Sequence, residues 1–487
     1  MSQSVFGDIG LYIVVVYLAS LLVVGWLANR SRRDNSVKDF YLAGSSLGFV
    51  SLFFTMYATQ YSGNTLLALP GKAYRTGLTS LGVMFAVMGV ALVYSVFAPR
   101  LNQLAKSHQF ITMGDFIQWR YQSKLLRSLV NVVLVITLVN YALGNFKAVG
   151  LLLESASGGV VSFSTAILCL AVVMAIYESL GGMRAVVWTD IIQGLLLMVG
   201  CLVIFVCVSS ISETSSVTRL DGFMQSLHDF ATNQWQFSQF FSLIVLIGVG
   251  AAVYPQAIQR IYAAKNAVTM RRSYRLMFFM PLLTTLPMIL VGISVSEWLP
   301  SLDKQQSEQA TIFAIQRVIE FYPAMSWLLI LCIAAALAAI MSTIDSALLS
   351  LGSTVTTDFL APYLNTLSQD KVRQVTRVVS WLLMAMVALL AIYLPQTIWA
   401  LMVFKFELLI QLAPAIILGV RFTKFGANAM INGLLAGVLV AVVIKITAGS
   451  LLGVHAGVWG LLCNLAVILL SHRLVDKRSV NEVVEGK

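Results

Sequence analysis

The stretch "MYATQYSGNTLLALPGKAYRTGL", residues 56–78, breaks an apolar run just where a membrane-crossing helix should continue. Ala58 to Asn64 are small or polar, Gly63 can leave helical geometry, and Pro70 removes a ladder donor further on. A helix broken at mid-membrane depth exposes backbone carbonyls that can coordinate a cation. The competing reading is a small-residue face on which helices pack closely. This stretch alone leaves both open.

The surroundings of that break are a membrane protein's. Hydrophobic residues make up 59% of the 487 residues and charged ones only 11%, too little polar surface to cover a water-soluble globule. Apolar runs of about 20 residues suffice to cross a core roughly 30 Å thick, and about thirteen are found along the chain. They lie near 9–29, 48–71, 77–98, 128–153, 160–178, 188–211, 237–262, 276–297, 326–352, 375–394, 397–420, 428–448 and 456–474, with a tail from 475 to 487. The first is too long for a secretory signal and no small-residue cleavage site follows it, so it reads as a retained anchor.

The net charge of +11 is an orientation signal. Of 32 Lys and Arg residues, 24 fall in alternate gaps and the C-terminal tail, five in the other gaps, and Lys147, Lys405 and Lys445 inside apolar runs. The positive-inside rule then places the N-terminus outside and the C-terminus in the cytoplasm, and no nucleic-acid patch is needed to explain the charge. All five cysteines lie in apolar spans and the four histidines lack metal-ligand spacing. There is no Walker A loop and no G-x-G-x-x-G, which argues against an ATP-driven machine within this chain.

Three further stretches carry polar residues at a depth where they are expensive. "LIGVGAAVYPQAIQRIYAAK", 246–265, supplies a second Gly/Pro-interrupted span. It lies five crossings after the first, which suggests two inverted repeats with a site between the broken helices. "AALAAIMSTIDSALLS", 335–350, places Ala339, Ser342, Thr343 and Ser346 on one helical face with Asp345 beside them. "YESLGGMRAVVWTDIIQ", 177–193, combines a glycine pair for a chain reversal, Arg184 to anchor it and Asp190 about a turn and a half further on.

These motifs resemble those of the sodium:solute symporter family. "GGMRAVVWTDIIQ" and "PQAIQRIYAAKN" are similar to its two long signatures, and "DFYLAG" at 39–44 and "MSTIDSALLS" also match, over about residues 10 to 420. Ser45 departs from the pattern, since many members carry arginine after the glycine. The resemblance implies an all-α, LeuT-like 5+5 inverted repeat: a leading helix at 9–29, repeats at 48–211 and 237–420, and two trailing helices at 428–474. It also implies a sodium ion held by the carbonyls of Ala58, Tyr61 and Ala339 and the hydroxyls of Ser342 and Thr343. A second sodium would take Asp190, Ser342, Asp345 and Ser346. A hard cation prefers such oxygen ligands.

The expected function is sodium-coupled import of a small organic nutrient, a carboxylate, amino acid or related solute, across the plasma membrane of a bacterium, by a protein working as a monomer. A proton-coupled symporter of a neutral solute such as a sugar, or a transport-like sensor, is the alternative. An intramembrane enzyme is disfavoured, because no catalytic His/Asp cluster or metal motif lies at one depth. The substrate cavity is expected to be lined by Gln60, Ser62, Asn64, Gly248, Ala251 and Tyr254, with Lys147 and Glu407. Lys147 needs a countercharge, from either Glu407 or a substrate carboxylate.

Overall fold

The structure, a computed structural model, describes residues 7–30, 37–211, 232–360, 369–394 and 397–484. Among them, nine helices are long and apolar enough to cross a membrane, with shorter apolar helices at Val14–Leu27, Phe163–Ile176 and Ala456–His472. The chain is an all-α integral membrane protein, and its single sheet among the described residues is a two-residue hairpin, β1 (Ser450–Leu451) and β2 (Val454–His455).

The leading helix α1 (Gly7–Arg30) precedes a broken span, α2 (Phe49–Gln60) and α3 (Leu69–Thr76). Next come α4 (Leu81–His108), α5 (Lys124–Ala156) and α6 (Phe163–Ser210). The second broken span is α7 (Gln234–Gly250) and α8 (Pro255–Ala263), followed by α9 (Ala267–Leu283) and α10 (Thr285–Trp298). The chain then forms α11 (Ser326–Thr354), α12 (Gln369–Tyr393), α13 (Ile398–Leu409), α14 (Ala427–Thr447) and α15 (Ala456–Val484). The expected tail is helical as far as Val484, and residues 485–487 lie outside the described residues, as does Arg219.

Burial sorts the helices. The apolar window of Ile333–Phe359 is entirely buried, so α11 is the central post, packed on α5 and α6. By contrast, only 28% of the window in Gln374–Tyr393 and 33% of that in Ala427–Thr447 are buried, which makes α12 and α14 lipid-facing. Their outward Leu382 and Leu439 are 65% and 64% exposed, as a surface solvated by acyl chains permits.

The two spans expected at 160–178 and 188–211 are one assigned helix with a kink inside it. Gly182 takes φ +56° and ψ −148°, a conformation in which only glycine is unstrained. Space requires glycine as well, because a Cβ there would meet the Phe40 carbonyl oxygen at 2.7 Å. Arg184 then pairs with Asp39 of the "DFYLAG" segment at 2.6 Å, fixing the kink to the chain entering the first broken span. Leu47 bonds to Ala263 and Lys265 through the backbone, at 3.0 and 2.9 Å, so that same entry is tied to the exit of the second broken span.

On the opposite arm, Glu308 caps α13 from a distant loop. Its two carboxylate oxygens each accept one backbone N–H, from Ile398 and Trp399, both at 2.9 Å. These are charge-assisted bonds at a positive helix end. Burial pushes the Glu308 carboxyl above its usual range, and the two amide donors oppose that shift.

Candidate functional site

The first break begins with α2 ending at Gln60 and Tyr61 turning extended, at φ −106° and ψ 126°. The Ser62 N–H, which would close the ladder on the Ala58 carbonyl, donates instead to Thr65 Oγ1 at 3.3 Å. Tyr141 Oη donates to the Thr59 carbonyl at 3.2 Å. The turn is a close fit, since a Cβ on Gly63 would meet Ile340 Cγ1 at 2.6 Å and Ala148 Cβ at 3.0 Å. Glycine thus lets the broken span approach α11 and α5.

That approach brings the Ser342 hydroxyl of α11 to the freed carbonyl. Ser342 Oγ lies 3.3 Å from the Ala58 carbonyl and 3.2 Å from that of Ala339, and Thr343 Oγ1 lies 3.0 Å from the latter. Four of the five expected sodium ligands, Ala58, Ala339, Ser342 and Thr343, are fully buried, and Ser342 Oγ links the Ala58 carbonyl to that of Ala339. The fifth, the Tyr61 carbonyl, belongs to the residue that leaves the helix. The donor set is all oxygen and uncharged, and hydroxyls can turn a lone pair toward an ion. These residues fit a sodium ion.

Asp190 has other partners. Its Oδ2 accepts from Thr55 Oγ1 at 2.5 Å and from Arg260 Nη2 at 3.0 Å. Arg260 also donates to Ser346 Oγ at 2.6 Å, to Thr55 Oγ1 at 2.7 Å, and to the Thr55 and Gln256 carbonyls at 3.1 Å. The sequence places this arginine among the gap cations, whereas the structure buries it completely between α2, α6, α8 and α11. In this arrangement Asp190, Ser342, Asp345 and Ser346 do not fit a second sodium, because a guanidinium already supplies the positive charge to two of them. Asp345 is also fully buried, and neither of its carboxylate oxygens has a hydrogen-bond partner.

A chamber of about 50 Å³ lies beside the first break. Gln60, Ser62, Asn64, Ala251 and Tyr254 line it, and Gly248, Lys147 and Glu407 do not. The expected alternatives for Lys147 are both displaced: it donates to the Leu394 carbonyl, and Glu407 pairs with Lys445 at 3.2 Å. The chamber's cation is Lys405, which sequence reasoning left unassigned. Two positions apart on α13, Lys405 and Glu407 point to different faces, one into the chamber and one toward α14.

Lys405 is 1% exposed, and its Nζ sits 3.3 Å from the Tyr141 ring centroid, 4.9 Å from Phe406 and 5.1 Å from Tyr254. Tyr141 and Tyr254 stack at 5.2 Å, forming an aromatic wall. No carboxylate of the described residues lies within ion-pair distance of Lys405, and no Asp or Glu lines the chamber. Trp399 also lines it, with Lys72 Nζ 5.5 Å from its ring. Aromatic faces partly compensate a buried ammonium. The full compensation is an anion.

A model of the sodium:solute symporter family matches residues 40–440. The uncharacterized symporter YodF of Bacillus subtilis (strain 168) is 24% identical over 98% of this chain and 96% of its own. A sodium/proline symporter of Staphylococcus aureus (strain JH9) is 27% identical over 74% and 70%. In fold, the chain resembles a Na+-coupled sialic acid symporter in its substrate-bound outward-open state, with a TM-score of 0.77 at 18% identity over 96% of this chain and 98% of that one. It also resembles Mhp1, a nucleobase-cation-symport-1 family transporter, with a TM-score of 0.60 at 13% identity over 90% and 95%.

Proposed function

Since the chain belongs to the sodium:solute symporter family, with sodium as its coupling ion and a small molecule as its cargo, we propose that this cargo is an organic carboxylate. The observation that carries this reading is Lys405, a buried ammonium facing the chamber with aromatic rings and no acid around it. A carboxylate entering beside Gln60, Ser62 and Asn64 brings the missing countercharge, and charge-assisted bonds of this kind contribute about 1.5–3 kcal/mol. Sodium binds first at Ala58, Tyr61, Ala339, Ser342 and Thr343. That order braces the broken span whose next residues, Ser62 and Asn64, face the cargo.

The transporter works by alternating access as a monomer in a bacterial plasma membrane, with the N-terminus outside and the C-terminus in the cytoplasm. Its two halves are the inverted repeats at 48–211 and 237–420, with one helix before them and two after. The carboxylate is a nutrient acid or an amino acid. An amino acid's own ammonium would need a partner in the chamber, which favours the plain acid.

The test is uptake into proteoliposomes under an inward sodium gradient, comparing small carboxylates with their amides and with neutral sugars. Lys405→Met should abolish carboxylate uptake, while Lys405→Arg should keep part of it. Uptake of a neutral solute that survives Lys405→Met would defeat the carboxylate reading and leave sodium symport standing.

A further inference from the structure

A second cavity, of about 490 Å³, lies on the outer surface between α4 and α9, away from the substrate chamber. We propose that this groove binds an anionic phospholipid, with Arg271 and Arg275 holding its phosphate. The two arginines are one turn apart on the same face of α9. Both are exposed, and no carboxylate of the described residues lies within ion-pair distance of either. Below them the wall turns apolar, with Leu92 58% and Phe279 55% exposed. A soluble anion would gain nothing from such a wall. An acyl chain fills it, and basic pockets between membrane helices suit anionic head groups.

The groove also connects inward. Tyr274 lines it, is 3% exposed and has a hydroxyl without a hydrogen-bond partner. Its ring stacks on Tyr94 at 4.9 Å, and Tyr94 Oη accepts from Gln60 Nε2 at 2.8 Å. Gln60 in turn lines the substrate chamber. Two rings and one amide therefore separate the lipid from the cargo, and a bound lipid restrains the side chain that meets the substrate.

The experiment is native mass spectrometry of the delipidated full chain, titrated with phosphatidylglycerol or phosphatidylcholine. Wild type should retain phosphatidylglycerol preferentially. Arg271→Gln with Arg275→Gln should weaken that binding about thirtyfold, at roughly five- to sixfold per arginine. Arg272→Gln, which removes an equal charge from outside the groove, should change it by less than the roughly five- to sixfold of one groove arginine, because its guanidinium does not hold the phosphate. The proposal fails if the double variant binds as wild type does or if Arg272→Gln loses as much. Should the double variant not purify, wild type decides alone: equal retention of the two lipids, or displacement of phosphatidylglycerol by millimolar inorganic phosphate, overturns the proposal.

Discussion

Arg260 and Asp190 form an ion pair with neither side chain exposed, Nη2 to Oδ2 at 3.0 Å, joining α8 to α6 across the centre of the protein. Removing one member of such a pair leaves a buried charge, at a cost of about 3–5 kcal/mol. Asp190→Asn should therefore lower the unfolding temperature of the purified protein sharply. Adding Arg260→Gln should recover part of the loss. Purely additive losses in the double variant would show that the two residues do not act as a pair.

Sodium dependence should reside in α11. Ser342→Ala or Thr343→Ala singly should raise the sodium concentration for half-maximal uptake about tenfold or more, the scale of one lost contact to a charged group. Together they should remove sodium dependence while keeping the helix, since alanine is its best former. An unchanged sodium response in the double variant would place the ion elsewhere.

A carboxylate monoanion moving with one sodium carries no net charge. Its accumulation in proteoliposomes should not change when a potassium diffusion potential is imposed, whereas a neutral or zwitterionic cargo would gain ~2.3 kcal/mol from 100 mV, about fiftyfold. A potential-driven rise would mean a cargo without net charge or more than one sodium per anion. The measured sodium-to-cargo flux ratio separates those two.

Gly182→Ala should cost about 1–3 kcal/mol, because it combines a positive φ with a Cβ overlapping the Phe40 carbonyl. Gly48→Ala is the control, since nothing lies within 4 Å of its added Cβ. Thermal unfolding of both variants checks this. Equal melting temperatures would mean that the kink relaxes freely.

The breaks were legible because glycine, proline and short polar residues are rare inside apolar spans, so Gly63 and the residues before it marked the place where α2 stops. The hydroxyls of α11 were legible through their spacing. Arg260 was not, because a count along the chain assigns a charge at the end of an apolar run to the adjoining loop, and only the packing of four helices buries it. Lys147 and Lys405 looked alike as lysines in apolar spans, and nothing local says which one faces the cavity. The offset between Lys405 and Glu407 did hold a clue, since residues two apart on a helix cannot share a face.

The capping of α13 by Glu308 has a mechanical consequence. Trp399, whose N–H Glu308 holds, and Lys405, less than two turns along the same helix, both face the chamber. The segment carrying Glu308 thus fixes where α13 begins, and through that one helix end it sets the positions of both the tryptophan and the ammonium in the chamber.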